Sequence, residues 1–220
     1  MDFKIGHRAR LRQKFMETKL VDYELLELLL SYAIPRIDVK PIAHALLKKF
    51  GNIGKIINAD IEDLKSVPGM GESSAIFLQV VGDVNLRREL SVLKESHIFY
   101  DYTILENYAI TLLCNKQVEE FHVLYVDNKM RLLSDELHAV GTIDFTAVYP
   151  REILKRMLAI NAASIILLHN HPLGCESFSQ EDINITTQTR DLMNAVGLCL
   201  IDHLLVANDK VISAKNIFLI

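Results

Sequence analysis

SIILLHNHPLGCESFSQED, residues 164–182, is the stretch whose reading decides the fold. Ser164-Ile165-Ile166-Leu167-Leu168 is β-branched and leucine-rich and too short for a helix, so it predicts a buried strand with polar residues at its carboxyl end. Side chains alternate faces along a strand, so His169 and His171 are expected to project the same way from the sheet edge. Pro172 and Gly174 then turn the chain. Ser179 opens a helical pattern with Asp182 in its first turn, which could aim that carboxylate back at the imidazoles. Two histidines and one carboxylate leave a fourth tetrahedral position open for water, the arrangement of a catalytic rather than a structural zinc. Ser179 followed three residues on by Asp182 is also a capping box, a start signal found on many helices that bind nothing.

The composition sets bounds around that stretch. At 220 residues the chain has room for one large domain or two small ones. Half its residues are hydrophobic, 24% are charged and the net charge is −4, an ordinary globular balance. No apolar run is long enough to span a bilayer, and the opening MDFKIGHRARLRQKF lacks the apolar middle of a signal peptide, so a cytoplasmic protein without membrane association is expected. Three cysteines, Cys114, Cys175 and Cys199, with no close pair indicate neither a disulfide framework nor a thiolate cluster.

Charge is uneven. Lys4, Arg8, Arg10, Arg12, Lys14 and Lys19 face only Asp2 and Glu17 in the first twenty residues. A basic arm on an acidic body is compatible with a phosphate-rich partner, and a solvated helix face explains it as well. Helices are predicted over 23–32, 40–50, 53–59 and 61–66. Val67-Pro68-Gly69-Met70-Gly71 then forms a tight hairpin leading into a helix over 73–88. Helix, Gly-x-Gly turn, helix is the pattern of a helix-hairpin-helix, whose glycines let backbone N–H groups approach a phosphate. Glu72 just beyond it has the wrong sign for that purpose, so a hairpin used for helix packing stays an equal reading. The pattern weakens after residue 89, which places a domain boundary between a helical domain over 1–95 and a second domain over 101–220.

The second domain reads as a helix over 102–115, strands over 119–126 and 131–140, an irregular stretch after Gly141, and a helix from Pro150 to residue 162. The histidine strand follows, then a helix over 179–196, a strand over 198–206 and a last strand over 211–213. This alternation implies an α/β domain, a mixed sheet covered on both faces. A metal-activated water needs a general base, and an unligated glutamate is the usual choice. Glu119 and Glu120 at a strand start, Glu152 and Glu181 are the candidates, and spacing alone does not rank them.

His169-x-His171, seven residues, Ser179, two residues, Asp182 resembles the metal motif of the JAMM (MPN) metalloproteases. AASIILLHNHP, VYPREILKRM and LIDHLLVA look like the bacterial RadC proteins, long labelled DNA repair proteins, and VPGMG and GHRARLRQKF resemble their amino-terminal region. The likeness covers nearly the whole chain. It implies a JAMM/MPN-like sheet flanked by helices, preceded by a small all-α helix-hairpin-helix domain. By the same resemblance one Zn2+ is held by His169, His171 and Asp182, Ser179 hydrogen-bonds the water or the developing oxyanion, and Glu119, two residues before Phe121, is the base, with Glu120 as fallback. Adjacent strand residues face opposite sides, so the register matters. Asp202-His203 would support a ligand or form a buried hydrogen-bonded pair.

The chain departs from the family where Pro172-Leu173-Gly174-Cys175 replaces Pro-Ser-Gly-Asp, and where Glu176-Ser177-Phe178 replaces a Pro-containing turn. Cys175 could compete for metal or make the site redox-sensitive. The resemblance implies a zinc-dependent hydrolase of an amide or isopeptide bond in a peptide or protein substrate. The alternative is a DNA-binding accessory protein of repair or recombination whose carboxyl-terminal domain is a docking module.

Overall fold

The computed structural model describes residues 6–96, 101–141 and 148–219. Two compact units divide between Val84 and Asn85. The irregular stretch expected after Gly141 falls mostly outside the described residues.

In the second unit a five-stranded sheet has the order β2-β1-β3-β4-β5, built from β1 (Glu119–Val126), β2 (Leu132–Gly141), β3 (Ser164–Asn170), β4 (Cys199–Ala207) and β5 (Lys210–Ser213). β1 runs antiparallel to β2 and to β3, and β4 antiparallel to β5. Only β3 and β4 pair in parallel among the described strands. A parallel pair needs a crossover, which α9 (Gln180–Ala195) supplies. The turn between the end of β3 and the start of α9 therefore lies at the carboxyl edge of a parallel strand, where open α/β sheets place their sites.

Alternation along the strands sorts side chains onto two cores. Phe121, Val123 and Tyr125 of β1 and Ile165 and Leu167 of β3 pack against Ile153 and Met157 of α8 (Pro150–Ile160) and against Ile185 and Met193 of α9. Leu124, Val126, Ile166 and Leu168 face the other way, toward Leu105, Tyr108 and Leu113 of α7 (Tyr102–Leu113). All of β3 is buried, as its unbroken apolar run predicts. Odd-numbered positions of β1 and β3 thus share one face, and His169 inherits the α8/α9 side.

The first unit is helical: α1 (His7–Glu17), α2 (Asp22–Ala33), α3 (Lys40–Phe50), α4 (Ile53–Ile57), α5 (Ile61–Lys65) and the start of α6 (Glu72–Glu95). Leu26, Leu30, Ile42, Leu46, Ile56, Leu64 and Leu78 form its core. The boundary expected after residue 95 lies instead inside α6, which is longer than the predicted 73–88. Leu86, Leu90 and Leu93 repeat at helical spacing, and they pack with α7 in the second unit's core.

The hairpin between α5 and α6 packs against α3. Gly69 has φ +91°, and a Cβ there would sit 2.7 Å from Cδ1 of the buried Ile42. The Gly71 N–H donates to the Ser74 hydroxyl at 2.9 Å. Gly69→Ala combines left-handed strain with overpacking, and is expected to cost the amino-terminal unit about 1–3 kcal/mol. A urea midpoint unchanged from the wild type would remove Ile42 as the reason for the glycine.

Candidate metal centre

β3 carries His169 near its end, and His171 follows just beyond, held by its backbone N–H donating to the Val206 carbonyl at 3.0 Å. The chain then turns through Gly174, φ +80°, where a Cβ would meet Asn208 Oδ1 at 2.5 Å. Asn208 Nδ2 donates to the Gly174 carbonyl, and Lys210 Nζ lies 2.8 Å from Glu176 Oε2, so the β4–β5 turn braces the loop. Ser179 is the N-cap of α9. Its hydroxyl accepts from the Asp182 N–H at 3.1 Å and donates to Asp182 Oδ2 at 2.7 Å, and its own N–H donates to the same oxygen. The capping box is therefore present, and it fixes the carboxylate of Asp182 toward the end of β3.

Three potential ligand side chains converge. His169 Nε2 is 3.2 Å from His171 Nε2 and 3.3 Å from Asp182 Oδ1, and His171 Nε2 is 3.3 Å from Asp182 Oδ2. A zinc ion with N and O ligands at about 2.0–2.1 Å has tetrahedron edges of roughly 3.3 Å, and the two imidazole nitrogens stand at that separation, each facing a different oxygen of the Asp182 carboxylate. These residues form a group able to hold a metal ion. His171 Nδ1 lies 3.0 Å from the Cys175 carbonyl, which can only accept, so Nδ1 carries the hydrogen. The Cys175 thiol turns to Ser177 instead, with Sγ 3.3 Å from its Oγ. That bond lowers the thiol's pKa.

The electrostatics match the geometry. Burial disfavours the charged form of Asp182, but the imidazoles of His169 and His171 and the Ser179 hydroxyl outweigh it and hold the carboxyl well below the usual carboxylate range. Burial likewise opposes charge on His171, but Asp182, the Cys175 carbonyl and Glu119 push it up to about 9.

The candidate bases separate by face. Glu119 Oε1 is 3.5 Å from His171 Nε2, on the side of the converged ligands. Glu120 points through the other face, to Lys116 Nζ at 3.0 Å and His122 Nε2 at 3.4 Å, and His122 Nδ1 continues to Asp135 at 2.9 Å. Glu152 pairs with Arg151 and Lys155 on α8, and Glu181 is exposed. Beside the ligands opens a groove lined by Glu119, Phe121, Ala139, Val148 and Ile185.

Asp202 and His203 diverge rather than pair through their side chains. Asp202 accepts from Tyr102, from the Ser213 hydroxyl at 2.6 Å and from the Lys215 N–H at 3.0 Å. His203 points to the metal face, its Nε2 2.8 Å from His169 Nδ1 and its Nδ1 2.6 Å from the Thr186 hydroxyl, which donates to the Asp182 carbonyl. The sequence reading named neither Thr186 nor Asn170, whose Oδ1 accepts from the Glu120 N–H at 2.8 Å and ties the end of β3 to the start of β1. Thr186 had one signal: it lies four residues after Asp182, on the same helix face.

In the amino-terminal unit Arg8 donates to the carbonyls of Ser31, Ile34 and Ile37, and Lys14 pairs with Glu24. Among the described residues no helix is long and apolar enough to cross a membrane.

A family model described as "RadC-like JAB domain" matches residues 100–217, the segment that carries the sheet and the converged ligands. The chain is also similar to UPF0758 protein SPO0054 of Ruegeria pomeroyi, 40% identical over 212 residues that cover 95% of each protein. The fold, the length of both matches and the His-x-His to Asp spacing agree, and this chain belongs to the RadC-like JAB domain family.

Proposed function

We propose that the chain is a zinc-dependent hydrolase of the JAMM type, cleaving an amide or isopeptide bond in a peptide or protein. The observation that carries this reading is the approach of His169 Nε2, His171 Nε2 and the Asp182 carboxylate to within 3.2–3.3 Å of one another, with Glu119 beside them. Zinc bound by that set would lower the pKa of water and polarise a carbonyl. The protein's own groups do the rest. Glu119 takes the proton from the attacking water on a carboxylate oxygen and delivers it to the leaving amine. Asp182 and the two imidazoles would hold the ion, and Ser179 orients Asp182. While its hydroxyl hydrogen lies on Asp182 Oδ2, Ser179 acts on the ligand rather than on an oxyanion. The apolar wall of Phe121, Ala139, Val148 and Ile185 suits the flanks of an extended peptide better than a small charged substrate.

Elemental analysis of the purified chain is the test. About one zinc per chain is expected, lost in His169→Ala and His171→Ala. Metal-free wild-type protein that takes up no added zinc, with its fold and stability unaltered by the addition, would overturn the reading.

Nucleic-acid binding by the amino-terminal unit has less support. Gly69 is packed on Ile42, the Gly71 N–H is occupied by Ser74, and Arg8 caps main-chain carbonyls instead of facing a phosphate. A binding test on this unit should alter Arg10 and Arg12 and leave Arg8 intact.

A further inference from the structure

Glu119, the base of the proposed hydrolysis, is half exposed, and among the described residues its one ion-pair partner is His171, 3.5 Å from Oε1. With so few contacts of its own, the carboxylate is aimed by the main chain that carries it. On the β3 side the strand ladder stops just short of that main chain. β1 and β3 pair from Val126↔Ser164 to Phe121↔His169, and the His171 N–H, just past β3, turns to the Val206 carbonyl of β4.

The side chain of Asn170 fills the gap. Its Oδ1 accepts from the Glu120 N–H at 2.8 Å and its Nδ2 donates to the Val118 carbonyl at 3.1 Å. One carboxamide therefore holds the residues on both sides of Glu119, in the one amide orientation that serves a donor and an acceptor together. Asn170 is 2% exposed, so neither bond competes much with water. On the β2 side Glu119 lies opposite Gly141, where a Cβ would stand 3.2 Å from the Glu119 Cβ. The start of β1 is thus pinned from β3 and spared side-chain pressure from β2.

We infer that Asn170 is a positioning residue for Glu119, tying the backbone of the base to the segment that carries the metal ligands. By strand alternation it works from the face opposite His169, so it takes up no room at the metal. The inference rests on the hydrolase reading for the role of Glu119, and on the two hydrogen bonds for its geometry.

Amide exchange on the metal-free wild-type chain reads the clamp directly: the Glu120 N–H should be protected about 100-fold or more. Asn170→Ala should lose that protection. It should also lose the nuclear Overhauser contact between the Glu119 side chain and the His171 ring, while the contact between the His169 and His171 rings, whose centroids are 4.9 Å apart, persists. On amide- and isopeptide-linked model peptides the zinc-loaded variant should show kcat lowered about 10–100-fold, the cost of a base misplaced by about an ångström, with KM and zinc content unchanged. A wild-type Glu120 amide that exchanges like an exposed one overturns the inference without recourse to any variant. So does Asn170→Ala protein that keeps the Glu119–His171 contact, or whose loss of rate lies in KM or in zinc content. If wild-type protein cleaves none of the peptides while exchange and ring contact respond as stated, the hydrolase reading fails and the clamp on Glu119 stands.

Discussion

Glu119→Gln is expected to lower the proposed peptide or isopeptide hydrolysis of the zinc-loaded chain about 10²–10⁴-fold and to leave its zinc content unchanged, the range expected when a general base is removed. The side chain is half exposed and 3.5 Å from His171, near the converged ligands without belonging to the metal-capable group. An amide of the same shape can occupy that place but cannot accept a proton. Glu120→Gln is the control. Its carboxylate lies through the opposite face with Lys116 and His122, so turnover should stay within a fewfold of wild type. The measurement is turnover on amide- and isopeptide-linked model peptides at matched zinc occupancy. Full activity in Glu119→Gln, or loss in Glu120→Gln alone, would reverse the assignment of the two residues.

Asp202→Ala is expected to destabilise the second unit by about 2–4 kcal/mol, through the donors it leaves without an acceptor. The carboxylate is 1% exposed and accepts from Tyr102, Ser213 and the backbone N–H groups of His203 and Lys215. Through it α7, β4, β5 and the segment after β5 share one acceptor. Removal leaves the donors of the buried His203 and Ser213 without this acceptor, a cost that exceeds the net worth of the bonds themselves. Urea unfolding of metal-free protein measures it. A loss below about 1 kcal/mol would mean that the donors find other partners.

Much of this was legible from pattern. Period-two alternation and the apolar run before His169 gave the strands, and Pro150 and Ser179 marked helix starts, because those signals depend on local chain geometry. The parity of strand positions also carried the site. His169 and Glu119 fall on one face and Glu120 on the other, although the pairing Phe121↔His169 had to be observed before the bases could be told apart. What pattern missed depends on contacts between distant segments. Asp202 and His203 look like a pair in one dimension and serve opposite faces in three. Thr186 meets His203 only because α9 packs beside β4. The continuation of α6 was written in Leu86, Leu90 and Leu93, yet the intervening Arg87, Arg88 and Glu89 blurred the transition from one unit to the next.

The proposed ligands all come from one short segment, whereas the carboxylate beside them and the imidazole behind them arrive from β1 and β4, on either side of β3. In the proposed hydrolase the ligand set is therefore assembled within residues 169–182, while the base reaches it only with β1 paired to β3 in register. A misfolded or half-assembled population would scavenge metal while remaining inert, so stoichiometric loading by itself does not certify a competent preparation.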